Sequence, residues 1–213
     1  MDSVYIYIYM FSIVVGISAN GGIGYNIDEN NQGLPWKCSI DMKFFRNLTK
    51  HNYKKIQQRN AVIMGRNTHQ SLNKELLPGR VNVVISSVLW NHHKKEKEYI
   101  YSTIHDDLII NSNFIICKTL NSALMYCNKQ NFDNVYVIGG SQLYKEALCH
   151  NDLDRIYVSF VPDCCVTHTP TIFFPLSVSD IEEKFPNKEL FLQGTVDEEC
   201  DYQVFTYKNH YKV

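Results

Sequence analysis

A chain of 213 residues with 45 % hydrophobic content can bury one sizeable core, so a single domain over residues 1–213 is expected. Its 21 lysines and arginines nearly cancel its 22 aspartates and glutamates. That balance excludes the net positive field by which a protein holds nucleic acid or an anionic membrane surface, and a small-molecule partner is expected instead.

The N-terminal run "VYIYIYMFSIVVGI" follows Asp2 with no basic region and no small-residue cleavage pattern, so it reads as a buried strand rather than a signal peptide or bilayer span. The seven cysteines show no C-x-x-C spacing, which suits free thiols in a reducing cytoplasm; adjacent Cys164 and Cys165 read as two small residues in a strand or loop. Apolar runs at 12–17, 61–64, 81–86, 114–117, 135–138 and 156–161 predict strands covered on both faces, hence a largely parallel sheet. Helix patterns at 40–50, 67–72, 122–128 and 141–148 alternate with them, giving an α/β class. "NHHKKEKE" at 91–98 reads as a solvated loop. The histidines fall in no metal-site motif, so no metal site is expected. "HTPTIFFPL" and "YQVFTYKNHY" predict strands of an antiparallel edge, separated by polar sequence without a strong helix.

Three glycine-bearing stretches follow predicted strands. "GISANGGIG" at 16–24 fits neither standard nucleotide loop, and taken alone it reads as a turn rather than a ligand cradle. In "VIMGRNTHQSL" a strand ends at Gly65, and Arg66, Asn67 and Thr68 open a helix whose free N–H groups and dipole suit phosphate; Thr68 as a plain cap and Arg66 as a surface charge is the competing reading. "VYVIGGSQLYKEAL" repeats the pattern, and parallel strands place both junctions at the sheet edge where α/β ligands bind. Upstream, "GLPWKCSIDMKFF" sets Asp41 in an otherwise apolar segment. It is either a helix-start acid beside Ser39 or a group facing a ligand.

"GGIG", "LPW" with an acid five residues after the tryptophan, "MGRNT", "LPGR", "ISS" and "IGGSQLY" occur in that order between residues 12 and 207, and this series resembles the dihydrofolate reductases. "LPWKCSIDMKFF" is most similar to protozoan members, some of which carry a thymidylate synthase domain that this chain lacks. The resemblance implies an eight-stranded, mostly parallel sheet with an antiparallel C-terminal edge and helices on both faces. It implies NADPH as cofactor, dihydrofolate as substrate, antifolates as inhibitors and a monomer, and it leaves association with a separate thymidylate synthase open. The implied reaction moves a hydride from the nicotinamide to pterin C6 with protonation at N5, making tetrahydrofolate for one-carbon metabolism and thymidylate synthesis.

Roles follow by position. Asp41 would accept hydrogen bonds from the pterin 2-amino group and N3, with Trp36 as a further catalytic position and Leu34 where water reaches N5. Burial and the ligand's donors would push its pKa in opposite directions. Val14, Val15, Met42, Phe45 and Leu72 would form the pterin and aminobenzoyl walls, and Arg80 would clamp the glutamate α-carboxylate in a bidentate pair. Ile138 would offer its carbonyl to the ring, Tyr144 would lie beside pterin and nicotinamide, and Ser159 would support the acid. Gly16, Ile23 and Gly24 would border the nicotinamide, and Gly65, Arg66, Asn67 and Thr68 the phosphates, with Arg66 on the 2′-phosphate. Ile85, Ser86 and Ser87 would flank the adenosine. Gly139, Gly140, Ser141, Gln142 and Leu143 would take the pyrophosphate, with the Gly139–Gly140 bond cis.

Departures from the family pattern are extra residues "NIDENNQ" between Gly24 and Leu34, His69 for a common tryptophan, Thr171 for an acid, and Ser87 for a frequent arginine. The last leaves Arg66, helped by Asn67, to choose NADPH over NADH. A riboflavin-pathway reductase would share fold and cofactor but not the Trp36, Asp41 and Arg80 set. A silent folate or nucleotide binder would hold ligands without turnover.

Overall fold

The computed structural model describes residues 10–28, 31–50, 59–73, 75–95, 100–102, 107–197 and 200–209; the first part of the predicted N-terminal run, residues 4–9, lies outside them. In chain order the elements are β1 (Phe11–Ile17), β2 (Gly22–Asp28), β3 (Asn31–Gly33), α1 (Ser39–Thr49), β4 (Ala61–Gly65), α2 (Arg66–Ser71), β5 (Val81–Ile85), α3 (Ser87–Lys95), β6 (Ile100–Ser102), β7 (Asp107–Asn111), β8 (Phe114–Cys117), α4 (Leu120–Gln130), β9 (Val135–Val137), α5 (Ser141–Ala147), β10 (Leu153–Phe160), β11 (Ile172–Phe173), α6 (Val178–Lys184), β12 (Asn187–Asp197) and β13 (Cys200–Lys208).

The main sheet runs β12-β13-β10-β1-β9-β4-β5-β8-β7-β6. Strands β10 to β8 are parallel, and β13 and β12 add the antiparallel C-terminal edge. The expected eight strands are those from β12 to β8; the β6–β7 hairpin lies antiparallel beyond β8 and extends the sheet to ten. The continuous apolar runs have a simple cause. Ile13, Val15 and Ile17 of β1 and Ile63 of β4 point into one core beneath Leu120, Ala123 and Ala147, while Val14, Val62 and Met64 point into the other beneath Phe44. Both faces are covered, so neither parity of the strand can be polar.

Three segments differ from the sequence expectation. Asn91 to Lys95 belong to α3 rather than to a solvated loop; Ser86 Oγ accepts from the Leu89 N–H at 3.1 Å and starts the helix, and buried Trp90 packs it on Ile116. The polar stretch after residue 176 holds a helix and a strand. α6 has a reciprocal cap, in which Ser177 Oγ accepts from the Asp180 N–H and Asp180 accepts from the Ser177 N–H, with Ile181 buried. β12 then pairs along β13. The extra residues after Gly24 form the β2–β3 hairpin, which β11 joins in a three-stranded sheet. All seven cysteines are free thiols. Among the described residues, no helix is long and apolar enough to cross a membrane.

Candidate active site

The carboxyl ends of the parallel strands open into a cavity of about 1200 Å³, larger than the roughly 300–1,000 Å³ usual for one small ligand. It has room for two ligands side by side. α1 forms one wall, the glycine junctions before α2 and α5 another, and the β2–β3 hairpin a third.

Asp41 lies in the first turn of α1 but does not serve the helix as a cap. Its Oδ1 accepts from Ser159 Oγ at 2.7 Å and from Tyr202 Oη at 3.0 Å, and its Oδ2 accepts from Trp36 Nε1 at 3.2 Å. Three donors around an acid that is 5 % exposed bring together α1, β10, β13 and the loop before α1. Oδ1 is well served, whereas Oδ2 keeps acceptor capacity on a residue that lines the cavity. Burial raises the Asp41 pKa above its usual 3.8, and the donors from Ser159, Tyr202 and Trp36 pull it back only in part. Burial and the nearby Asp41 charge push the Tyr144 and Tyr202 phenols up, so both remain neutral donors. Gly16 is demanded by close approach, since a Cβ there would sit 2.9 Å from the Trp36 ring and 3.1 Å from Ser159 Oγ.

Arg80, 6 % exposed, lines the same cavity. Its Nη1 donates to Thr49 Oγ1 at 2.7 Å and its Nε to the Pro78 carbonyl at 3.2 Å, with the Phe45 ring 5.7 Å away. Thr49 Oγ1 donates onward to the Phe45 carbonyl at 2.7 Å. The loop carrying Arg80 is pinned by Asn82, whose Oδ1 accepts from the Leu77 N–H at 2.9 Å and whose Nδ2 donates to the Leu77 and Arg80 carbonyls at 3.1 Å.

The two glycine junctions meet. Gly65 N–H donates to the Gly139 carbonyl at 2.7 Å, Gly139–Gly140 is cis, and neither α2 nor α5 has a side-chain cap. Their first N–H groups, with Arg66, Asn67 and Thr68 on the wall, make a cradle suited to phosphate oxygens. Gly139 has φ +113°, and a Cβ there would meet the Tyr144 ring at 3.2 Å. Tyr144 Oη donates to the Val14 carbonyl at 2.8 Å. Ser141 Oγ donates to the Phe173 carbonyl at 2.8 Å, tying α5 to β11. Thr171 does by hydroxyl what an acid would do by carboxylate, because its Oγ1 accepts from the Asn26 N–H of β2 at 3.0 Å.

The remaining sequence-derived positions mostly converge. Val15, Met42, Leu72 and Ile138 line the cavity with Val14 and Phe45, and Ile23, Gly24, Leu34, Ile85, Gln142 and Leu143 lie on its walls. Ser86 and Ser87 do not line it: Ser86 caps α3 and Ser87 is that helix's first residue. His69 is buried against Phe114, with ring centroids 5.4 Å apart. Tyr202, Thr49 and Asn82 were not picked out from the sequence; only Asn82 carried a signal, as the polar residue inside the apolar run "VNVVI".

A family model described as dihydrofolate reductase matches residues 10–206. A dihydrofolate reductase of Aedes albopictus is 30 % identical over 181 residues, covering 81 % of this chain and 82 % of that one. One of Schistosoma mansoni is 35 % identical over 168 residues, covering 76 % and 78 %. The bifunctional dihydrofolate reductase-thymidylate synthase of Daucus carota is 32 % identical over 172 residues, 76 % of this chain but 28 % of that longer protein. Among solved structures, a dihydrofolate reductase from Enterococcus faecalis complexed with NADP(H) and RAB-propyl superposes with TM-score 0.61 at 23 % identity, covering 94 % of this chain and 96 % of that one.

Proposed function

The chain belongs to the dihydrofolate reductase family, and from that membership we propose that it reduces 7,8-dihydrofolate to 5,6,7,8-tetrahydrofolate with NADPH. The observation that carries the reading is one cavity with a buried acid, Asp41, at its inner end and a buried cation, Arg80, on the same wall. A folate is complementary to both: its pterin ends in amidine-type N–H donors and its tail in carboxylates.

Asp41 accepts from the pterin 2-amino group and N3–H through its cavity-facing oxygen, while Ser159, Tyr202 and Trp36 keep the carboxylate from turning. Val14, Met42, Phe45 and Ile138 hold the rings and keep bulk water out. Arg80 takes the glutamate α-carboxylate, and its own bonds to Thr49 and Pro78 fix the fork's direction. The uncapped starts of α2 and α5 with Arg66 suit the phosphates of NADPH, and Arg66 with Asn67 favours it over NADH. When bound, the cofactor supplies the hydride that C6 accepts. N5 takes its proton from water admitted past Leu34, which is 46 % exposed; Asp41, bound at the opposite side of the pterin, acts by orientation and electrostatics. Dihydrofolate, NADPH and one proton thus become tetrahydrofolate and NADP⁺.

The same reading places a monomeric protein in the cytoplasm, as one reductase domain over residues 1–213, feeding one-carbon and thymidylate synthesis and open to antifolates. Association with a thymidylate synthase is checked by sedimentation of the mixed proteins. The deciding experiment adds NADPH and dihydrofolate to the purified chain and follows loss of reduced-nicotinamide absorbance, with NADH beside it. Fast, NADPH-selective loss is expected. Saturable binding of both ligands without loss would overturn the reading in favour of a silent binder.

A further inference from the structure

We propose that Asn60 is a positioning residue for the reaction: by holding both the backbone beside Arg80 and the hydroxyl on which its guanidinium rests, it aims the arginine at the substrate's carboxylate. This rests on the reductase reading above. Asn60 is 5 % exposed, stands just before β4 and does not line the cavity. Its Nδ2 donates to the Thr49 carbonyl at 3.1 Å, and its own carbonyl accepts from the Val81 N–H at 2.9 Å. Thr49 Oγ1 accepts from Arg80 Nη1 at 2.7 Å, and Val81 follows Arg80 in the chain. Arg80, Thr49, Asn60 and Val81 therefore close a ring, with the cavity's cation on one side and Asn60 opposite it.

The oxygen of the Asn60 amide is held as firmly as its nitrogen. Oδ1 accepts from Asn134 Nδ2 at 3.1 Å, and the Asn134 carbonyl accepts from the Ala61 N–H at 3.0 Å. Ala61 pairs with Val81 on one side and Val135 on the other, and all three are buried. Asn60 thus ties the last residue of α1 to the starts of three parallel strands. A buried amide bonded at both ends does not turn, so Thr49 keeps a fixed place relative to Arg80. A plainer role exists, because the last carbonyls of a helix lack partners within it and Asn60 supplies a donor for one. A cap alone would protect stability and leave substrate affinity untouched, whereas a strut for Arg80 must also show in KM.

The test measures Asn60→Ser, whose side chain is too short to reach the Thr49 carbonyl, against wild type. The substrates are dihydrofolate and 6-methyl-7,8-dihydropterin, which has no tail carboxylate. The KM for dihydrofolate should rise about three- to tenfold with kcat kept, and that for the methylpterin should stay as in wild type. Lost stability by itself lowers the amount of active enzyme and leaves KM unmoved, so it does not imitate this result. In an Arg80→Leu background the substitution should add less than about twofold, because the group it aims is gone. Asn134→Ala, at the exposed end of the network, should raise the KM for dihydrofolate about twofold and decides the matter if Asn60→Ser does not fold. An unmoved KM for dihydrofolate in the folded variant, an equal rise with both substrates, or a full added effect on Arg80→Leu would overturn the proposal. If neither substrate is turned over, the reductase reading fails by itself, and calorimetric binding of folate against 6-methylpterin then decides the same comparison without chemistry.

Discussion

Asp41 and Arg80 are buried almost equally, at 5 % and 6 % exposure, carry opposite charges and share one cavity wall, yet the fold holds them by different means. Asp41 is gripped by side-chain donors from positions as far as 118 and 161 residues away. Arg80 sits on a short loop whose backbone is fixed by Asn82, and Thr49 and the Phe45 ring reach it from α1. The acid's surroundings therefore set its charge state, since each donor acts on the ionised form. The surroundings of the arginine set its position, since guanidinium stays charged in proteins. Changes near the acid should move titration and turnover; changes near the arginine should move substrate affinity.

The contrast is tested most severely at the two charges themselves. Asp41→Asn keeps the shape but removes the charge and turns one of the two acceptor oxygens into a donor, so kcat/KM for dihydrofolate should fall about 10²–10³-fold while thermal unfolding shows a folded protein. Activity within a few-fold of wild type would take Asp41 out of its role. Arg80→Leu should raise the KM for dihydrofolate about 10- to 100-fold with kcat nearly kept, as expected for a charge-assisted pair made equally in ground and transition states. A fall in kcat with KM unmoved would break the comparison, because it would make Arg80 part of the chemistry rather than of binding.

Asn82→Ala comes next in size and touches neither ligand. It leaves the Leu77 N–H and carbonyl without the side-chain partner they have in the native loop, which should cost about 1–3 kcal/mol of stability. The slackened loop should raise the KM for dihydrofolate about fivefold, well below the effect of removing the charge itself. An unchanged KM in a destabilised variant would show that Asn82 does not aim Arg80.

What could be read in advance follows the same division between local and distant causes. The central strands were legible because covered faces force unbroken apolar runs, as in 61–64. Asp41 was legible beside Trp36, five residues away, and Arg80 within a four-residue motif. Tyr202 was not, because its meaning depends on register: Ser159 pairs with Val204, which puts Tyr202 on the same face one step along the antiparallel ladder. No property of "DYQVF" states that register. α3 was obscured by its charges, with Trp90 as a buried anchor. α6 carried its start signal in "SVSD", a short motif easily passed over in polar sequence.

The smallest expected effect bears most directly on the acid. Burial raises the Asp41 pKa above 3.8, and Ser159, then Tyr202, then Trp36 oppose the rise. Tyr202→Phe removes one opposing donor and keeps the ring, so the carboxyl should titrate at higher pH than in wild type, and Ser159→Ala should move it at least as far. The consequence for stability has a definite sign. With a folded pKa above the unfolded one, the native state holds the proton more tightly, so this group's favourable contribution is complete below 3.8 and is lost as pH rises through the folded value. Tyr202→Phe should push that loss to higher pH, and Asp41→Asn should abolish it. The ¹³C shift of the Asp41 carboxyl carbon follows the titration in each variant. A midpoint in Tyr202→Phe at or below that of wild type would mean that the phenol does not stabilise the ionised acid, and Asp41 would then be governed by burial and Ser159 without it.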